Sequence, residues 1–311
     1  MNRKINKKYI LNFISKLIDP NTKSKELELI IINTNYFWAE VVREGSKHLL
    51  LPSIYFCAIE KKIDEYIPDD LLLYLNNISS LNSKRNLKIV KQIKSVSKLL
   101  NKNKIKHVFL KGAAFLIRKP YDVIKQRMIG DIDILVDEKM IKKTQKLLIS
   151  EGYKENKILE KELKNNIINH RHEDRLVHND YIAALEIHSF LLSEENKFRL
   201  RTSNVMKSKI KIDNKFWIPS DFYLWKHAIL NHLYNDKGIK YNWLHFRTVL
   251  DVIHLEEKFI QSEKNLNYSI KSFYSLMSVF FKYQNSFYSI KKKIYEIQLD
   301  STLFSKFLVI S

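Results

Sequence analysis

The 311-residue sequence contains a single cysteine. Cys57 alone can form no intramolecular disulfide and no multi-cysteine zinc site, and its setting in "SIYFCAIE" predicts a buried structural thiol. Glycine and proline are scarce, at five each. So few turn formers argue against a loop-rich β protein and for a helix-rich one. No stretch approaches the roughly 18 apolar residues of a membrane span. The opening "MNRKINKKYILNFISKLIDP" has a basic start and a short apolar stretch, but Asn12, Ser15 and Lys16 interrupt it and no small-residue cleavage site follows. It reads as an amphipathic helix rather than a signal peptide. The expectation is a cytoplasmic protein with no membrane partner.

What is present is a globular composition, 45% hydrophobic and 28% charged, on a chain long enough for two or three subdomains. The net charge is +20. A basic balance suits nucleic acid, nucleotides or anionic surfaces. Lysine, asparagine and isoleucine are abundant together and the lysines run along the whole chain, so an AT-rich genome accounts for the same charge. Both readings stand at this point.

No internal repeat or low-complexity linker divides the chain. Three regions are expected: a helical one over 1–104, a core over 105–216 and a second helical one over 217–311. In the first, Leu87, Val90, Ile93, Val96 and Leu100 form an apolar helical stripe. The core opens with "IKHVFL" (105–110), a strand candidate, followed by Lys111-Gly112 and a helix start that Pro120 stops. "DIDILV" (131–136) is a second strand. Asp137 suits the cap of a helix whose face is Met140, Ile141, Thr144, Leu147 and Leu148, and Gly152 sits at its C′ position. The charged stretch 154–173 reads as loop or exposed helix. "RLVHNDYIAALEIH" reads as a hairpin turning at Asn179-Asp180. Beyond Trp217 the pattern is helical, with Ser220 as an N-cap after Pro219, a helix in "NWLHFRTVLDVIHLEE" and an aromatic-rich helical end over 265–311.

The chemistry gathers in the core. Side chains alternate across a strand, so Asp131 and Asp133 project from one face and Ile132 and Ile134 from the other. Two carboxylates about 7 Å apart at an effective dielectric near 20 repel by on the order of 2 kcal/mol. A cation between them removes that cost, and such hard oxygen ligands suit Mg²⁺ or Mn²⁺. Glu186 in "YIAALEIH" is a third charge in an apolar strand, sharing a face with Ile182, Ala184 and His188. If the strands are neighbours, Asp131, Asp133 and Glu186 converge as catalytic metal ligands: one metal could hold a triphosphate and a second could activate an attacking hydroxyl. Lys111-Gly112 after a strand provides backbone N–H groups and a charge for phosphate. Arg127 could clamp another phosphate. His188 either orients substrate or phosphate, or hydrogen-bonds in the core.

These residues carry a resemblance. "FLKGAAFLIRKPYDVIKQRMIGDIDILVD" resembles the signature of a bacterial nucleotidyltransferase family within the DNA polymerase β-like superfamily. The matching positions are Leu110-Lys111-Gly112, Tyr121, Arg127, Asp131-Ile132-Asp133 and Leu135-Val136. Gly152-Tyr153, Glu186-Ile187-His188, His227 and His232 resemble later parts of the pattern, so that the likeness runs from near residue 90 to near 255. It implies an α+β fold, a small mixed β-sheet with helices on one side, flanked by N- and C-terminal helical regions. It implies transfer of a nucleoside monophosphate from an NTP, with Asp131, Asp133 and Glu186 as metal ligands. The sequence departs from the wider superfamily at Ala113, where a serine or glycine usually follows the glycine. A hydroxyl contact to phosphate is thereby missing, and Lys111 with backbone N–H groups must compensate.

Three functional readings follow. The leading one is a metal-dependent nucleotidyltransferase whose co-substrate is an NTP and whose acceptor is a small molecule, a peptide or RNA. The others are an RNA-binding or interaction protein that keeps the fold without turnover, and a toxin-like nucleotidyltransferase acting on tRNA or protein. His170, His172 and His178 in "NHRHEDRLVHND" are either a zinc site or an exposed polar loop, with the loop favoured. His227, Asn231 and His232 either pack or line a cleft. Trp217, Trp225 and Trp243 read as core residues.

Overall fold

Apolar side chains three and four residues apart gather the first hundred residues into helices. A computed structural model describes residues 6–33, 37–155, 175–255 and 267–281. Asn6 caps α1 (Lys7–Ile18), accepting from the Lys8 N–H at 2.8 Å. Beside it pack α2 (Ser24–Ile32), α3 (Trp38–Lys47) and α4 (Leu51–Glu60), and Cys57 on α4 is buried as expected. α5 (Asp69–Lys102) is a single 34-residue helix. Its buried face differs from the expected stripe. Leu87 is 53% exposed, whereas Asn82, Asn86, Ile89, Gln92, Ile93, Val96 and Leu100 are buried. The helix faces backbone carbonyls as well as apolar side chains, so amides take core positions that an apolar count skips.

The strands form one mixed sheet. Their ranges are β1 (His107–Phe109), β2 (Asp131–Val136), β3 (Lys154–Glu155), β4 (Leu176–Val177) and β5 (Ala184–His188), in the order β1-β2-β5-β4-β3. β2 pairs antiparallel with β1 and parallel with β5, and β4 returns antiparallel to β5 as the hairpin reading expected. Between β1 and β2 run α6 (Lys111–Arg118) and the short α7 (Val123–Gln126). Lys119 ends α6 in a left-handed conformation just before Pro120. After β2, Asp137 caps a 3₁₀ turn that leads into α8 (Ile141–Ser150). Gly152 follows at φ +96°, and the Tyr153 N–H donates to the Leu148 carbonyl, closing the helix as the sequence predicts.

Ile132, Ile134, Val136, Leu185 and Ile187 turn one face of the sheet to the main core shared with α5. The other face is not bare. Val108, Leu110 and Leu135 on it pack against Leu191, Leu192 and Leu200 in a second, smaller cluster. Helices therefore flank both faces, because these apolar side chains also require cover. The cover comes from α9 (Thr202–Lys207) and the end of α10 (Asp221–Leu230). The hairpin β6 (Ile210–Ile212) and β7 (Phe216–Ile218) lies between them. Ser220 occupies the N-cap of α10. A π-turn at Asn231–Asn235 and α11 (Gly238–Tyr241) lead to α12 (Phe246–Ile253) and α13 (Tyr268–Met277). Among the described residues no helix is long and apolar enough to cross a membrane. Most of the charged stretch 154–173, with His170 and His172, and residues 282–311 lie outside the described residues.

Candidate active site

The parallel register of β2 and β5 sets the site. Asp131 lies opposite Ala184, Asp133 opposite Glu186 and Leu135 opposite His188. Equal registers put Asp131, Asp133, Glu186 and His188 on one face, with their isoleucine neighbours buried behind. The His188 Nε2 lies 2.8 Å from Asp133 Oδ1 and 3.6 Å from Glu186 Oε2. Asp133, Glu186 and His188 each offer a ligand atom, all within 4.8 Å of one another. Lys111, the first residue of α6, donates its ammonium to Asp133. Arg175, just before β4, bridges the remaining pair: its Nε donates to Glu186 Oε1 at 2.7 Å and its Nη2 donates to Asp131.

The electrostatics follow from this crowding. Burial pushes the Asp131 carboxyl up, and the neighbouring Glu186 charge adds to it against Arg175. Burial would push Asp133 up too, but Lys111 and His188 outweigh it and hold that carboxyl well below the usual range. Three carboxylates thus draw three cationic or N–H groups of the chain itself, the demand a divalent ion would meet. The donor chemistry fits one: two carboxylates and an imidazole suit Mn²⁺, and the carboxylates alone suit Mg²⁺.

A cavity of about 360 Å³ opens beside the carboxylates, and its walls include Lys111, Gly112, Arg127, Asp131, Asp133 and Arg247. Glu186 reaches the site through Arg175 and His188 rather than as a residue of that wall. Lys111 holds a left-handed φ of 44°, uncommon for a residue with a side chain, directly at the cavity. Gly112 is closely packed: a Cβ there would lie 2.9 Å from Arg127 Nη1 and 3.0 Å from the Ile129 side chain, so those side chains would have to shift.

Arg127, expected to clamp phosphate, lines the cavity but also has a protein partner. Its Nε donates to Asp251 Oδ1 at 2.9 Å and its Nη2 to Oδ2 at 2.8 Å, with the Tyr121 hydroxyl donating to the same carboxylate at 2.8 Å. The guanidinium lies over the Phe115 ring at 5.1 Å. Arg247 completes this wall. Burial, then the neighbouring Arg127, pulls its pKa down to about 10. Its Nη1 donates to the Met128 carbonyl at 3.2 Å and its buried Nε has no partner among the described residues. Arg127 and Arg247 thus stand beside the single Asp251 carboxylate on one side of the cavity, and Asp131 and Asp133 line it with Lys111.

The sequence reading missed Arg247, Asp251 and Arg175. The first two had a signal: they are charged residues four apart on an otherwise apolar helix. Arg175 had none, because its role depends on which strands pair. The buried amides of α5 were missed as well. Asn82 donates to the Lys125 carbonyl at 3.0 Å, and Asn86 to those of Ile124 at 3.0 Å and Arg127 at 2.8 Å. Arg85 holds the Ile129 and Gly130 carbonyls at 3.2 and 3.1 Å. Gln92 grips both backbone groups of Ala183, at 2.8 and 3.1 Å. One helix thereby fixes the approaches to both carboxylate strands.

The histidines divide. His227 lines the cavity, its Nε2 3.2 Å from the Leu191 carbonyl oxygen. His232 is packed, with Nε2 3.0 Å from the Trp243 carbonyl oxygen. His178 sits against Tyr153 and Tyr181 with Nε2 3.2 Å from the Glu151 carbonyl oxygen. Trp225 is fully buried, while Trp217 and Trp243 are half-buried.

A family model described as uncharacterised nucleotidyltransferase matches residues 35–266. No curated protein matches the chain significantly.

Proposed function

The chain belongs to this uncharacterised nucleotidyltransferase family, and from that premise we propose that it transfers a nucleoside monophosphate from an NTP to an acceptor hydroxyl, assisted by Mg²⁺ or Mn²⁺. The observation that carries the reading is the register that sets Asp133 beside Glu186, with the Nε2 of His188 at the end of β5 within 3.6 Å of both. Asp133 and Glu186 would hold the divalent cation, with Asp131 on the same face beside them, in place of the Lys111 and Arg175 charges that these carboxylates now meet. Bound there, the cation supplies charge neutralisation at the phosphates and polarises the attacking hydroxyl. His188 orients the Asp133 carboxylate through its Nε2.

The cavity wall supports the co-substrate assignment. Lys111, Arg127 and Arg247 bring cationic groups to it beside the carboxylates, and Gly112 at the start of α6 lets the backbone N–H groups approach. Phosphoryl transfer needs mainly positioning and charge stabilisation of this kind. The acceptor oxygen bonds the α-phosphorus as the bond to the leaving pyrophosphate breaks.

Incubating the protein with the four labelled NTPs, Mg²⁺ or Mn²⁺ and a cell extract, followed by mass spectrometry, tests this. A metal-dependent adduct of one nucleoside monophosphate is expected, lost in Asp133→Asn. Equal labelling by wild type and Asp133→Asn would overturn the assignment.

A further inference from the structure

A groove of about 890 Å³ opens at the opposite end of the sheet. Its walls come from the segment before β1, the turn after β2 and the residues after β5, together with α9 and the β6-β7 hairpin. At about 3.3 Å per residue, Asp137 in the groove lies about 20 Å along the strand from Asp131 and about 13 Å from Asp133, and Ser189 about 10 Å from Glu186. It is a second site, sharing no lining residue with the first.

Lys104, Lys106, Lys139, Lys207 and Lys209 line it. Among the described residues no ion pair neutralises any of the five. Asp137 and Glu138 stand exposed beside them, and one Asp137 oxygen already accepts from the Lys139 backbone N–H at 3.1 Å. Lys209 is half-buried, and burial together with the nearby Lys106 charge lowers its pKa. Five lysines against two carboxylates leave the groove with an excess of positive charge, which suits a polyanion. The groove also carries aromatic surface. Trp217 is half-buried, with the Lys209 and Lys211 ammonium groups 4.5 and 5.4 Å from its ring centroid, and Phe190 lies on the wall formed after β5. Clustered lysines interleaved with ring faces suit a chain of phosphates and bases. The concave shape suits a strand better than a flat lipid surface.

We propose that this groove binds single-stranded nucleic acid, its lysines taking successive phosphates and Trp217 stacking a base. A strand held there could send its end to the carboxylates, which makes the groove the docking site of a polymeric acceptor. That last assignment rests on the nucleotidyl-transfer reading; strand binding itself does not.

The test is fluorescence anisotropy of the full chain with labelled oligouridylate and oligothymidylate strands of about 12 nucleotides, between about 50 and 200 mM salt. Lys106→Ala/Lys207→Ala removes two groove charges. Lys143→Ala/Lys146→Ala removes two from exposed positions of α8 and serves as the control. The groove pair should weaken binding about tenfold and flatten the slope of log K against log salt by about 1.4, or 0.7 per lost phosphate contact. The control pair should stay within about twofold. Strand-induced quenching of tryptophan emission should disappear in Trp217→Phe, which keeps an aromatic in the hairpin. Asp133→Asn should bind strands as wild type does, so that loss of transfer and loss of binding are read separately. Tighter binding of oligouridylate or of oligothymidylate tells an RNA strand from a DNA one. Equal loss in both lysine pairs, absence of saturable strand binding, or tighter binding to phosphatidylserine vesicles or polyglutamate than to either strand would overturn the proposal.

Discussion

Asp133 and Glu186 face each other across the parallel pair β2 and β5, and His188 lies within reach of both, at 2.8 and 3.6 Å. Neither carboxylate is needed to hold the strands, which are paired through their backbones. Asp133→Asn and Glu186→Gln keep the shape and remove the charge. Each should cut nucleotidyl transfer by about a thousandfold or more, on the scale of removing a charge-stabilising group from a reacting centre. Electron paramagnetic resonance of Mn²⁺ should show weakened binding in both while the circular dichroism spectrum is unchanged. Wild-type Mn²⁺ affinity in both variants counts against the metal assignment.

Arg127 and Arg247 share a cavity wall but differ in partners, so their variants should separate. Arg247 carries a charge that burial and Arg127 disfavour. Arg247→Ala should weaken binding of a non-hydrolysable NTP by about ten- to a hundredfold, or about 1.4–2.8 kcal/mol, with no loss of folding stability. Arg127→Ala strands the buried Asp251 and should destabilise by about 3–5 kcal/mol. Calorimetry and urea unfolding on the same two proteins distinguish the outcomes. The reverse pattern would mean that Arg127, not Arg247, meets the phosphates.

Asn86 spans two backbone carbonyls just ahead of β2. Asn86→Ala leaves them buried without donors and should cost about 1–3 kcal/mol. Urea denaturation should show a lower midpoint at unchanged slope. An unchanged midpoint would show that the loop finds other donors.

Acid should unfold this protein early. Burial lowers the His48, His107 and His232 pKa values to about 4 and, reinforced by Arg247, takes His245 to about 2. In the unfolded chain each titrates near 6.5. Between pH 6.5 and 4 the unfolded state therefore takes up protons that the native state refuses, so stability is full above that window and is lost as pH falls. Each of the first three contributes about 3 kcal/mol of that loss by pH 4. Thermal melts from pH 7.5 down to 4.5 should show a steep fall below pH 6.5. A flat profile there would mean that these rings are protonated in the native state.

The legible part of the site was what alternation and order encode. Asp131 and Asp133 announce a shared face because the strand period is two, and Glu186 shows the same anomaly in its own strand. The strand β2 itself ran over the residues expected, Asp131–Val136. What stayed hidden depends on partners distant in sequence. Nothing around Arg127 says that Asp251 will meet it, and nothing around Arg175, whose hairpin was legible, says that β5 will lie beside β2 and bring Asp131 within its reach. Leu87 was misread for a related reason. A stripe search rewards apolar residues, while the true buried face of α5 spends three positions on amides that serve carbonyls elsewhere. The second apolar cluster was hidden in the same way, since Leu135 alternates with the aspartates and looks like an exception to a polar face.

The amides of α5 have a consequence for precision. Asn82 and Gln92 are ten positions apart on one unbroken helix, about 15 Å of rise, and between them they grip the lead-ins of both β2 and β5. Two strands referenced to the same rigid bar move together when the bar moves. Thermal displacement of α5 against the rest of the molecule is then common to Asp133 and Glu186 and cancels in the separation between them. The spacing of the carboxylates is set by a difference, and differences taken along one helix are far quieter than the positions themselves.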